Sequence, residues 1–136
     1  MKIRTYLDSG VLIAATRGKP DLATAALDVR SNPQRTFRSS VFVKLEVLPK
    51  PHYFNRQPEV HFYETYFAAV SEYQALFLPE LGEETFALAT RYGLAALDAL
   101  HVAIAIRQQA DELITTEGSD KPIHRVAHLR VIGLGT

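Results

Sequence analysis

Short β-prone runs alternate with helical segments along this chain of 136 residues. The strand-like runs are Ile3–Leu7, Arg35–Ser39, Asp111–Thr115 and Leu129–Leu134. The segments with helical periodicity or composition are Ser9–Thr16, Asp21–Arg30, Val41–Leu48, Glu59–Phe77, Leu81–Tyr92 and Leu94–Ile106. This alternation predicts one α/β domain over residues 1–136, with a mostly parallel sheet between helical layers.

Prolines, glycines and capping residues set several of the predicted bounds. Ser40 is a plausible N-cap for the helix that starts at Val41, and Pro49 is expected to end that helix. Pro58 opens the long helix that we predict from Glu59. Gly93 is expected to end the predicted helix Leu81–Tyr92, because glycine often follows the C-terminus of a helix.

The segment from Leu94 to Ile106 is apolar on nearly all sides, which predicts a helix buried on most of its surface. Its two exceptions are Asp98 and His101. A buried carboxylate without a partner costs several kcal/mol, and aspartate is rarely fully buried unless it is paired. Asp98 therefore needs either a structural partner or a functional reason.

Further acids stand at unusual places in the pattern. Asp8 ends the first predicted strand, Glu46 interrupts an apolar helix, and Glu117 follows the third strand, with Asp120 three residues later. Each has an ordinary explanation: Asp8 as an N-cap, Glu46 on a solvent-exposed stripe, and the last two as loop residues. In a parallel sheet, however, strand ends and helix N-termini meet at one edge, where ligands bind.

Carboxylates that meet at such an edge resist ionisation unless a cation offsets their charge. Oxygen ligands without histidine or cysteine suit Mg²⁺ or Mn²⁺. The chemistry expected of such a cluster is metal-assisted phosphodiester hydrolysis.

Composition narrows these possibilities. The chain is 47% hydrophobic and 22% charged, which is ordinary for a globular protein. It has no cysteine, so disulfides and thiolate metal sites are excluded, and a cytoplasmic location is compatible with that absence. No apolar run approaches ~20 residues, so we expect neither a membrane span nor a signal peptide. A formal net charge of zero argues against strong nonspecific binding of nucleic acid.

Four segments together resemble the motif regions of a known family. They are "YLDSGVLI", "SSVFVKLEVL", "GLAALDALHVAIA" and "LITTEGSD", in this order. Their order and spacing are similar to those of PIN domains, and in particular to VapC-type toxins of bacterial toxin–antitoxin pairs. The resemblance spans essentially the full chain. It implies a three-layer α/β/α sandwich and a Mg²⁺- or Mn²⁺-dependent endoribonuclease, a hydrolase that cleaves RNA and whose partner is a cognate antitoxin.

The resemblance also implies roles for the acids. Asp8, Glu46 and Asp98 match the three core acids of the family. The fourth acid is usually aspartate, but here Glu117 stands in its place, and Asp120 is a possible substitute. The match therefore implies that Asp8, Glu46, Asp98 and Glu117 are catalytic. The predicted metal ligands are these same four residues and Asp120.

Two polar positions of the family, which help to orient its acids, are matched by Ser9 and Thr115. His101, one helical turn after Asp98, is implied to pack or hydrogen bond near the site; a metal-binding pair with Asp98 is the weaker alternative. His124 and His128 lie in a segment without helical signals and are expected at the surface.

Two other functions stay open. The first is a noncatalytic PIN-like module that binds RNA or protein, with Glu117 marking a decayed metal site. The second is a phosphoryl-transfer domain with Asp8 as nucleophile. Gly10 disfavours the second, because such sites carry another aspartate two residues after the nucleophile.

Partners follow from the same considerations. Basic residues near the acid-bearing ends are expected to contact RNA phosphates; these are Lys44, Lys121 and Arg125. The predicted helix Glu59–Phe77 carries more large side chains than one core stripe needs, which predicts a homodimer.

Overall fold

A computed structural model describes residues 1–135 of the chain. Its strands are β1 (Ile3–Leu7), β2 (Arg35–Ser40), β3 (Glu72–Gln74), β4 (Glu112–Thr115) and β5 (Arg130–Gly133). Its helices are α1 (Ser9–Arg17), α2 (Pro20–Ser31), α3 (Val41–Val47), α4 (Pro49–Tyr53), α5 (Gln57–Ala69), α6 (Pro79–Tyr92) and α7 (Ala96–Arg107). A short 3-10 turn spans Pro122–Arg125.

The five strands form one sheet in the order β3-β2-β1-β4-β5, and every neighbouring pair is parallel. Helices cover both faces and complete a three-layer α/β/α sandwich. One group of helices forms around α1, which packs against α2, α3 and α5. In a second group, α6 packs against α7 and the 3-10 turn. The predicted fold class is therefore confirmed.

Because β1 lies in the middle of this order, the chain changes direction across the sheet between β1 and β4. After β1 it builds β2 and β3 on one side, and then crosses to build β4 and β5 on the other. The carboxyl ends of β1 and β4 thus form a topological switch point, the usual place of a binding site in such sheets.

The core is continuous and includes α7, which is buried from Ala99 to Ala105 as its apolar sequence predicts. Gly93 adopts the left-handed conformation with φ of 68° and caps α6. In residues 1–135 no single helix is long and apolar enough to cross a membrane. Among the described residues, only α6 and α7 taken together are long and apolar enough, and the two helices are bent by 118° relative to each other.

One predicted element was wrong, and one short helix was not predicted. The helix α3 ends at Val47, just before Pro49 as expected, and Pro49 then begins the short helix α4, as proline often does at the first position of a helix. The predicted helix Glu59–Phe77 ends at Ala69. The residues after it turn back to form β3, which pairs with β2 and adds a fifth strand to the four predicted.

Candidate active site

Asp8 lies at the switch point, directly after β1, and both of its carboxylate oxygens are held. Its Oδ1 accepts a hydrogen bond from the backbone N–H of Ser9 at 2.8 Å, which caps α1. Its Oδ2 accepts from the hydroxyl of Thr115, the last residue of β4, at 3.0 Å. Asp8 is thus both the expected N-cap and a bridge between the two central strands. Thr115 fills the orienting position predicted for it, whereas Ser9 contributes its backbone amide.

Glu117 follows in the loop after β4, and its backbone is fixed from two sides. Its N–H donates to the Thr115 hydroxyl at 3.1 Å, and its carbonyl accepts from His124 Nε2 at 2.9 Å. His124 is therefore not simply the surface residue that the sequence predicted: the 3-10 turn places it against this loop. His128 is exposed, as expected.

The loop also approaches α1 very closely. A Cβ on Gly10 would overlap Thr116 Oγ1, so any other residue here would have to displace the Thr116 side chain. Asp120 lies further along the loop, exposed, with its Oδ1 close to Gly118.

Asp98 lies half-buried in the first turn of α7. Burial raises the pKa of its carboxyl above the ordinary value of 3.8. The nearby charges that raise this pKa further belong to Asp8, Glu117 and Glu46, and the one that lowers it belongs to His101. Asp98 therefore lies in the combined negative field of the other three acids.

Positive side chains do not neutralise this field. Within residues 1–135 no lysine or arginine forms an ion pair with Asp8, Asp98 or Glu117. Glu46 has one partner, His101, whose Nε2 lies 2.6 Å from Glu46 Oε1. The Glu46 side chain is 29% exposed. His101 is a buried hydrogen-bonding residue, in agreement with the prediction.

The acids share a field without meeting at one point. Among the described residues, no three histidine, aspartate or glutamate side chains are close enough together to form a metal centre by themselves. The carboxylates of Asp8 and Glu46 are thus near enough to raise the pKa of Asp98, but in residues 1–135 these acids do not form a closed set of ligands.

Comparison with known proteins identifies the family. The family model for the PIN domain matches residues 5–129, which is most of the chain. The chain belongs to the PIN domain family. None of the curated proteins compared with it gives a significant match.

Two solved structures share the fold of this PIN domain at low sequence identity. A toxin–antitoxin complex from Klebsiella pneumoniae is 20% identical, with a TM-score of 0.66, over 94% of this chain and 95% of that one. VapBC2 from Rickettsia felis, bound to a DNA fragment from their promoter, is 15% identical. It has a TM-score of 0.68 over 96% of this chain and 98% of that one.

The PIN domain has a cleft of about 480 Å³ beside Glu46. Three basic residues line it, Arg17, Lys50 and Arg56, together with Glu59 and several apolar side chains. Nothing local in the sequence marks Arg17 and Arg56 as neighbours of Glu46, because only the packing of α1 against α3 and α5 brings these residues together. Lys44, which we expected near the acids, lines a different cleft with His52 and Glu64.

Proposed function

We propose that this PIN domain is a metal-dependent endoribonuclease of the VapC type, which hydrolyses RNA phosphodiester bonds at the edge defined by Asp8, Glu46, Asp98 and Glu117. The observation that supports the proposal is that burial and the charges of Asp8, Glu117 and Glu46 raise the pKa of Asp98, while no lysine or arginine of residues 1–135 pairs with Asp8, Asp98 or Glu117. PIN domains are generally nucleases and usually use a divalent metal ion.

The donor set fits Mg²⁺ or Mn²⁺. All four side chains offer hard carboxylate oxygens, and a cation would relieve the repulsion that raises the pKa of Asp98. Because the acids do not close into a ligand set by themselves, waters of the ion would complete its coordination, as Mg²⁺ favours. When bound, such an ion activates water and stabilises the leaving oxygen.

The protein residues supply position and charge. Asp8 is held rigidly by Ser9 and Thr115, so it would act as the fixed ligand. Glu117 lies in a loop whose backbone is fixed, and Asp120 is the alternative ligand at its edge. Arg17, Lys50 and Arg56 would bind the RNA phosphates beside Glu46.

A cleavage assay tests this proposal directly. Single-stranded and structured RNAs are incubated with the wild type in Mg²⁺, in Mn²⁺ and in EDTA, and with Asp98→Asn. We expect cleavage with either metal, none in EDTA, and a loss of several orders of magnitude in Asp98→Asn. Asp28→Asn, an equivalent change at an exposed position of α2, is the matched control and should cleave like the wild type.

The alternative is a noncatalytic PIN-like module that binds RNA or protein. It is favoured by Glu117 at a position where the family usually has aspartate, and by the open arrangement of the acids. RNA that is bound but left intact in both metals, by a protein that Asp98→Asn does not alter, would establish this alternative.

We also propose an antitoxin partner and a homodimer. The antitoxin is supported by the toxin–antitoxin complexes among the similar structures. Copurification with the product of a neighbouring small reading frame tests it. The dimer was predicted from the many large side chains of the helix after Pro58. That support is weaker in the structure, because Tyr63 and Tyr66 are buried in the core of the same chain. Sedimentation that gives a monomer at tens of micromolar would contradict the dimer.

A further inference from the structure

Four side chains form a continuous hydrogen-bonded chain through the core to the candidate active site. Ser40 Oγ lies 2.9 Å from the Tyr6 hydroxyl, which lies 2.8 Å from His101 Nδ1. His101 Nε2 in turn lies 2.6 Å from Glu46 Oε1. Ser40, Tyr6 and His101 are each at most 1% exposed, so this chain replaces apolar packing in the centre of the molecule.

The acceptor at its end gives the chain a direction. A carboxylate only accepts, so His101 Nε2 donates to Glu46. With a neutral imidazole, Nδ1 accepts from the Tyr6 hydroxyl, whose oxygen accepts from Ser40; a protonated imidazole reverses these two bonds and still donates from Nε2 to Glu46. Ser40 Oγ also accepts from the N–H of Val43, at 3.3 Å, and so caps α3. The polar side-chain atoms of Ser40, Tyr6 and His101 thus all have partners, and the proton on His101 Nε2 points toward Glu46.

The same chain holds α3 at both ends. Tyr6 contacts Ser40, the N-cap of α3, and through His101 it reaches Glu46 in the last turn of that helix. A helix of seven residues has little stability of its own and takes its position from tertiary contacts. His101 is one turn from Asp98 on α7, so this contact sets Glu46 relative to Asp98.

We propose that His101, supported by Tyr6, is a positioning residue that holds the Glu46 carboxylate in the metal site. The inference rests on the proposed function, because it assigns Glu46 to that site. Hydrogen-bonding partners of a metal-binding carboxylate commonly change metal affinity or activity by about 10–100-fold when they are removed. A purely structural role for His101 would change stability alone.

The test measures Mn²⁺ affinity by calorimetry, RNA cleavage and thermal stability. His101→Leu removes the donor to Glu46, and we expect roughly 10–100-fold weaker Mn²⁺ binding and cleavage. His101→Gln keeps a side-chain N–H near the position of Nε2 and should recover most of both. His52→Leu is the matched control, because His52 pairs with Glu64 at 3.4 Å in an exposed His–Glu pair and should bind and cleave like the wild type.

A double-mutant cycle separates positioning from structure. If His101 acts through Glu46, His101→Leu should cause no further loss of Mn²⁺ affinity in a Glu46→Ala background. Equal losses in both backgrounds would overturn the inference. Where His101→Leu does not fold, the same cycle with Tyr6→Phe, which deletes a single oxygen atom, gives the answer.

The two proposals fail in different ways. A folded wild type that neither binds Mn²⁺ nor cleaves RNA refutes the proposed function, and this inference with it. A wild type that binds Mn²⁺ and cleaves, while folded His101→Leu and Tyr6→Phe do both equally well, refutes the inference alone.

Discussion

Asp98 is predicted to destabilise the metal-free fold. Its raised pKa means that the folded state binds the proton more tightly than the unfolded chain. Its contribution to the free energy of unfolding is therefore most favourable below the ordinary pKa of 3.8 and is lost as pH rises through the raised value. Asp98→Asn removes this loss, so in EDTA near neutral pH the variant should be as stable as the wild type, or more stable by ~1 kcal/mol.

Urea unfolding of both proteins in EDTA, between roughly pH 4 and pH 8, checks this expectation. The difference in favour of asparagine should grow as pH rises. If Asp98 serves the fold instead, asparagine would leave a partner unsatisfied and cost about 1–3 kcal/mol, with RNA cleavage intact in Mg²⁺. That result would contradict its place in the site.

Gly10 is predicted to be needed for the position of the Glu117 loop. In Gly10→Ala the new Cβ would overlap Thr116 Oγ1, so Thr116 must move, and overpacking of this kind typically costs about 1–3 kcal/mol. We expect a lower free energy of unfolding and weaker Mn²⁺ binding. Adding Thr116→Ala removes that oxygen and leaves Thr116 Cβ at an ordinary 3.6 Å, so the double variant should recover. Failure to recover would show that the close contact is not the cause.

The residues of the candidate site divide by how far their contacts reach along the chain. That Asp8, Asp98 and Glu117 act on one another was predictable, because strand ends and helix starts converge in a parallel α/β sheet. Glu46 lies in the last turn of α3, so this rule alone does not place it with them, and the role of all four acids stays a prediction. The contacts from Tyr6 to Ser40 and His101 were not predictable, because they span 34 and 95 residues and leave no local pattern. Nothing in the sequence of β1, IRTYL, distinguishes Tyr6 from any other strand residue.

At the scale of elements, the central strands are joined by a buried ion pair far from the acids. Glu112 Oε2 in β4 accepts from Thr5 in β1 and from Arg35 Nε in β2, both at 2.8 Å. The side chains of Glu112 and Arg35 are only 4% and 17% exposed. No local pattern distinguishes Arg35 from an ordinary surface charge, because only the strand order brings it to Glu112.

Breaking this pair should therefore destabilise the sheet. Arg35→Leu leaves a buried carboxylate without its cation, and we expect a loss of about 3–5 kcal/mol in the free energy of unfolding. Arg35→Leu with Glu112→Leu should restore most of it. Arg4→Leu, which breaks the exposed pair of Arg4 with Asp111, is the control and should change the free energy of unfolding far less, because water screens an exposed pair. Denaturant unfolding of all four proteins measures these differences, and equal losses in the two single variants would count against a buried pair.

Element bounds were predictable where the sequence has breaking or capping residues. Ser40 and Gly93 mark the start of α3 and the end of α6 as expected. Between Pro58 and Pro79 there is neither glycine nor proline, so nothing local marks the end of α5 at Ala69. Pairing with β2 makes β3 a strand, and a tertiary interaction of this kind overrides local propensity.

For the whole molecule, binding of the metal should be linked to folding. The acids repel one another without a cation, and an ion that binds only the folded state stabilises it by about 2.7 kcal/mol at one hundred times its Kd. Each kcal/mol raises the Tm of a chain of this size by roughly 3–5 °C. Mg²⁺ or Mn²⁺ should therefore raise the Tm by several degrees, and EDTA should reverse the change. In Asp98→Asn the rise should be much smaller, because one ligand and the repulsion of the other acids by Asp98 are gone. Scanning calorimetry at fixed ionic strength measures both, with Asp28→Asn as the control that should respond like the wild type. A Tm that is the same in saturating metal and in EDTA would mean that these acids do not hold a cation in the folded protein.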